Sequence, residues 1–128
     1  MLSFDAPRER PAPRSYMTLD RDGQIITKTF SRRTLIIAVK GDCDGCRTLL
    51  VAGPDAYGPV DVYYVAAENS DDPAWQDQPI ILAPDLMKAL DIKWPPFWVL
   101  IDGEAGLVLC EGVPFGPASI AGSIADLL

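Results

Sequence analysis

Apolar residues along this chain gather into short, dense runs separated by polar and glycine-rich punctuation. Thr34-Leu35-Ile36-Ile37-Ala38-Val39 is nearly continuous; Val60-Asp61-Val62-Tyr63-Tyr64-Val65 and Phe97-Trp98-Val99-Leu100-Ile101 are similar in length. Runs this short, rich in β-branched and aromatic residues, predict strands, and continuity rather than alternation predicts cover on both faces. Gln24–Phe30 alternates loosely after the turn signal Asp22-Gly23 and predicts a further strand. Leu107–Cys110 folds back on Phe97–Ile101 through Asp102-Gly103-Glu104-Ala105-Gly106, a hairpin by its turn chemistry. Helical patterning runs from Cys43 to Ala52, where Gly53-Pro54 stops it. It returns from Pro84 to Leu90 and from Pro117 to Leu128, each opened by a proline whose missing N–H costs nothing there. Ile120, Ile124 and Leu127 share one face of the last helix. Glu68–Pro79 predicts an acidic loop with one turn around Trp75.

The order β, β-α-β, short α, β-β-α predicts an α/β fold: a central mixed sheet of four or five strands with helices on both faces. At 128 residues there is room for one domain with a sizeable core. Residues 1–17, with three prolines and mixed charges, predict a flexible N-terminal arm, leaving 18–128 as the domain. Eleven basic against eighteen acidic residues give a net charge of −7, which argues against a nucleic-acid partner. No run approaches the roughly 18 apolar residues of a membrane span, so no membrane partner is expected. The N-terminus lacks a signal peptide's apolar core, which predicts a cytoplasmic protein, or an extracytoplasmic one if a leader has been removed.

The candidate chemistry lies in Cys43-Asp44-Gly45-Cys46, placed where a buried strand hands over to a helix. Two thiols at this spacing in a βαβ context point to redox exchange. A zinc or iron–sulfur site and a pair of buried structural thiols are the alternatives. Histidine is absent and three cysteines leave a closed metal site one ligand short, so neither metal nor other cofactor is expected. Without histidine, Ser-His and Cys-His catalytic pairs are excluded. Cys110, ending a strand, is expected to be a buried or edge thiol, and the carboxylates of Asp71, Asp72 and Asp77 a solvated loop.

Three stretches together resemble the thioredoxin superfamily, closest to its TlpA/ResA-like reductases. They are Cys43–Arg47 after the strand Leu35–Val39, Leu90-Asp91-Ile92-Lys93-Trp94-Pro95-Pro96-Phe97 leading into Trp98–Asp102, and Gly106–Gly112 followed by a helix. The resemblance covers about residues 22–128 and implies a thioredoxin-like fold and thiol–disulfide exchange. It implies Cys43 as nucleophile, Cys46 as resolving thiol, and Pro96 as a cis-proline facing them. Trp94, Pro95, Pro96 and Gly112 then border the substrate groove. The partners implied are protein or low-molecular-weight disulfides and an upstream reductase or thiol pool.

The departures are specific. Asp42 stands where an aromatic residue is usual, the central dipeptide is Asp-Gly, and Leu35–Val39 lacks the buried acid of true thioredoxins. A carboxylate roughly 6 Å from a thiolate costs it about 1–3 kcal/mol, so Asp42 and Asp44 predict a reductant-leaning or weakly active centre, partly offset by Lys40 and Arg47. Pro95 has no N–H with which to return a hydrogen bond to a docked strand. These features keep open a second function, a redox-inactive protein-binding module.

Overall fold

The computed structural model describes residues 10–19, 22–76 and 78–128. Its organising strand is β4 (Thr34–Ala38), buried along its whole length because both sides of the sheet are covered. Leu35, Ile37 and the following Val39 enter one core, whereas Ile36 and Ala38 enter the other. Beside β4 lie β5 (Asp61–Ala66), parallel to it, and β7 (Phe97–Asp102), antiparallel. β6 (Ile80–Leu82) continues beyond β5, while β8 (Leu107–Gly112) and then β1 (Arg10–Pro11) continue beyond β7. The sheet is therefore mixed, in the order β1-β8-β7-β4-β5-β6.

Helices α1 (Asp44–Ala52) and α3 (Pro117–Ile124) cover the first core through Cys46, Leu49, Leu50, Ile120 and Ile124. Helix α2 (Pro84–Ala89) covers the second through Leu86 and Met87. A separate ribbon of β2 (Ser15–Leu19) and β3 (Ile25–Thr29) shares that side. Tyr16 stacks on Phe30 at 5.0 Å between ring centroids, and both meet Tyr63 of β5 edge-on at 5.9 Å. No helix among the described residues is long and apolar enough to cross a membrane.

One expectation needs correction. The sheet has six strands rather than four or five, because β1 and β6 are two and three residues long, too short for an alternation pattern to register. The stretch expected as an arm includes described strands: β1 pairs with β8 (Arg10 opposite Val108), and β2 begins at Ser15. Arg10 fixes this edge by donating from Nε and Nη2 to the Glu111 carboxylate at 2.8 and 2.9 Å and from Nη2 to the Leu90 carbonyl at 2.8 Å. Pro11, one of the prolines that suggested an arm, sits in the edge strand β1, where a missing N–H is tolerated. Residues 1–9 lie outside the described residues.

The β7–β8 hairpin is closed by Asp102, whose carboxylate accepts from the N–H groups of Ala105 and Glu104 and from Arg33 Nη1 at 2.9 Å. These donors, the Ala105 N–H foremost, hold its pKa below the ordinary aspartate value of 3.8. A carboxyl with a lowered folded pKa contributes stability that is present above its unfolded pKa and lost as pH falls through the folded one. The denaturation midpoint is therefore expected to drop as pH falls below about 4, and Asp102→Asn to flatten that drop. Midpoints measured from pH 7 to pH 2.5 check this.

Candidate redox site

The strand register brings the site's pieces to one end of the sheet. Ala38 lies opposite Phe97 and Trp98 opposite Gly112, so the chain leaving β4, entering β7 and leaving β8 passes the same rim. From β4, Lys40-Gly41-Asp42 leads to Cys43, with Asp42 in a left-handed backbone conformation (φ 53°). Cys43 is the N-cap of α1 and keeps extended backbone angles, so its Sγ accepts the Cys46 N–H at 3.2 Å. An N-cap acceptor satisfies one of the N–H groups that a helix start leaves without an internal partner, and helix N-termini favour negative charge.

Cys43 and Cys46 are joined by a disulfide, their Cα atoms 5.2 Å apart. Cys43 is 8% exposed and Cys46 only 1%. Gly45 between them faces Pro96: a Cβ added there would lie 3.4 Å from the proline's Cγ. The Pro95–Pro96 peptide bond is cis.

Around this pair the charges form one connected group. Arg47, a turn after Cys43, ion-pairs with exposed Asp44 and lies 4.0 Å from exposed Asp42. Its Nε donates to the Asp72 carboxylate at 3.1 Å. Asp72 is no part of a solvated loop: its side chain is 2% exposed. It also accepts from the Ala74 N–H at 3.1 Å, and the Asp42 backbone N–H adds to the stabilisation of its charge. The Ala74 bond foremost, then Arg47, holds its pKa below the ordinary aspartate value. Asp71 is exposed, as expected, and Asp77 lies outside the described residues. The burial of Asp72 escaped the sequence reading, although Asp72-Pro73 is a turn-initiating dipeptide that signals side-chain bonding to nearby N–H groups.

Of the other predicted site residues, Trp94 is 82% exposed and so belongs to the surface rather than the core, while Trp98 is the buried aromatic of this stretch. Pro95 lines a cleft of about 630 Å³ together with Lys40, Gly41, Asp42, Met87 and Ile92. Gly112 lies flat on Trp98, whose indole would sit 3.3 Å from an added Cβ. The loop beyond it exposes Val113 and, at 88%, Phe115, two apolar residues with no periodic pattern to mark them in the sequence. Cys110 is fully buried in the first core.

No protein family and no curated protein matches the chain. Solved structures do. The thioredoxin domain of a thiol-disulfide oxidoreductase from Bacteroides vulgatus superposes with a TM-score of 0.67 at 15% identity, covering 99% of each chain. A thio-disulfide isomerase from Thermus thermophilus gives 0.64 at 19% identity, over 92% of this chain and 94% of its own. The pneumococcal exposed lipoprotein thioredoxin from Streptococcus pneumoniae gives 0.62 at 13% identity, over 88% and 98%. Likeness over 88–99% of this chain establishes that it has the thioredoxin-like fold.

Proposed function

We propose that the protein is a thiol–disulfide oxidoreductase acting on protein disulfides, with Cys43 as the attacking thiol and Cys46 as the resolving one. The observation that carries this is the Cys43–Cys46 bridge at the start of α1, Cys43 being the more accessible of the two residues. In the reduced chain the Cys43 thiolate attacks one sulfur of a substrate disulfide, and the other sulfur leaves as a thiolate. Cys46 then attacks Cys43 Sγ, releasing the second substrate thiol and closing the bridge. Two electrons pass to the substrate, and a thiol pool or upstream reductase returns them. The Cys46 N–H and the helix start favour the anion on Cys43. Catalysed reduction of a model protein disulfide above the thiol background tests the reading; a rate equal to background would leave a thioredoxin-fold binding module instead.

Trp94, Pro95, Pro96 and Gly112, joined by Val113 and Phe115, form the docking rim in this reading. What supports it is an exposed tryptophan two residues before Pro96, which faces Gly45, and an exposed phenylalanine three residues after Gly112, since aromatic anchors dominate binding energy at interfaces. Trp94→Ala and Phe115→Ala are each expected to raise KM for a protein disulfide about fivefold, the equivalent of roughly 1 kcal/mol. The rate with a small-molecule disulfide should stay unchanged. Equal losses with both substrates would remove the rim from the mechanism. The cytoplasm, with its thiol pool, suits such a dithiol; labelling by a membrane-impermeant thiol reagent in intact cells would instead assign it outside.

A further inference from the structure

The Asp72 carboxylate is buried, charged, and tied to the helix of the redox pair as well as to its own turn. It accepts from Arg47 Nε on α1 and from the Ala74 N–H of its own turn, and the Asp42 backbone N–H just before Cys43 helps to hold its charge. Its own N–H donates to Ser70 Oγ at 3.1 Å, and Ser70 packs against Gly41 so tightly that any side chain at 41 would collide with it. The loop from Ser70 to Ala74 thus backs the turn Gly41-Asp42-Cys43, whose left-handed Asp42 costs a residue with a side chain about 1–2 kcal/mol. Arg47 is the cation of the first turn of α1, and three carboxylates hold it: Asp42, Asp44 and Asp72.

We propose that Asp72 is a positioning residue of the redox centre: it pins the turn that presents Cys43 and keeps the Arg47 guanidinium on carboxylates and away from the sulfur. It touches neither thiol and acts through Asp42 and Arg47. The consequence is chemical as well as structural. With three carboxylates against one guanidinium, and Lys40 exposed at the rim, the group surrounding Cys43 is net negative, which disfavours the thiolate and favours giving electrons away. This inference builds on the exchange function proposed above.

The test is the pH dependence of Cys43 alkylation in the reduced full-length chain, resolved by peptide mass spectrometry. Asp72→Asn keeps a carbonyl to accept the N–H groups but removes the charge, so Arg47 is released toward the sulfur. The apparent pKa of Cys43 is expected to fall by about half a unit to one unit, the size of effect that removing one nearby charge has in a partly solvated setting. Arg47→Met leaves the carboxylates uncompensated and is expected to move it upward by a similar amount. Shifts of opposite sign support the proposal; two unchanged titrations, or two shifts of the same sign, overturn it. If Asp72→Asn does not fold, Arg47→Met decides alone: a rise supports the proposal, and an unchanged or lower value overturns it. Alkylation reads the thiolate whether or not the protein turns over disulfides, so failure here and failure of the exchange function are separate results.

Discussion

Replacing Cys43 with serine is expected to cut reduction of a protein disulfide by on the order of 10³-fold or more, to the background of the reducing buffer. A serine hydroxyl at the same N-cap still accepts the Cys46 N–H, so the helix start survives while the nucleophile does not. Cys46→Ser should behave differently. Cys43 still attacks, but with no second thiol to resolve the adduct the mixed disulfide accumulates and is visible as added mass. The order of attack rests on access: 8% exposure at Cys43 against 1% at Cys46. If Cys46→Ser rather than Cys43→Ser abolished adduct formation, the roles would be reversed. Should neither variant differ from the parent, whose own rate equals background, the binding-module alternative stands.

The largest stability effect is expected far from the thiols, at Gly103. This residue follows β7 and donates its N–H to the Ser31 carbonyl at 3.0 Å, locking the hairpin onto the β3–β4 connection. A Cβ there would meet the Phe30 carbonyl at 2.7 Å and the Phe30 Cβ at 2.6 Å, as well as the Ser31 carbonyl oxygen. Two of these contacts are backbone, so no side-chain rotation relieves them. Gly103→Ala should therefore cost about 2–3 kcal/mol, as overpacking at rigid sites does. For a domain of this size that corresponds to a fall in melting temperature of roughly 8–12 °C. Gly122→Ala provides the contrast, because nothing lies within 4 Å of its added Cβ on the exposed face of α3. There alanine should stabilise by up to about 1 kcal/mol. Thermal melts of the two variants separate packing from helix propensity, and a Gly103→Ala melt within about 2 °C of the parent would remove the steric argument.

Much of this architecture could be read from the chain because its apolar runs are themselves consequences of burial. Leu35–Val39 is continuous since alternate residues enter two different cores, and both helices that follow prolines begin where the proline predicted. The stop at Gly53 and the hairpin at Asp102–Gly106 are local turn chemistry, which depends on few neighbours. What escaped notice depends on distant ones. Ile80–Leu82 becomes a strand only because β5 offers it an open edge, and Arg10–Pro11 only because β8 does. Asp72 reads as one more surface acid until the fold brings Arg47 and the Asp42 N–H to it, across 25 residues in the case of Arg47. Likewise Trp94 could have packed or been exposed; its neighbour in sequence, Pro95, says nothing about which.

The outermost strands of the sheet, β1 and β6, are only two and three residues long, and one of them contains Pro11. Unpaired ladder groups at a sheet margin are templates for polymerisation, and nature blunts them by shortness and by proline. Margins this brief offer a second copy almost nothing to zip onto. These two margins should accordingly resist edge-to-edge pairing in the native state, even though the sheet's centre is built from the Val-, Ile- and Leu-rich segments that assemble most readily once unfolded.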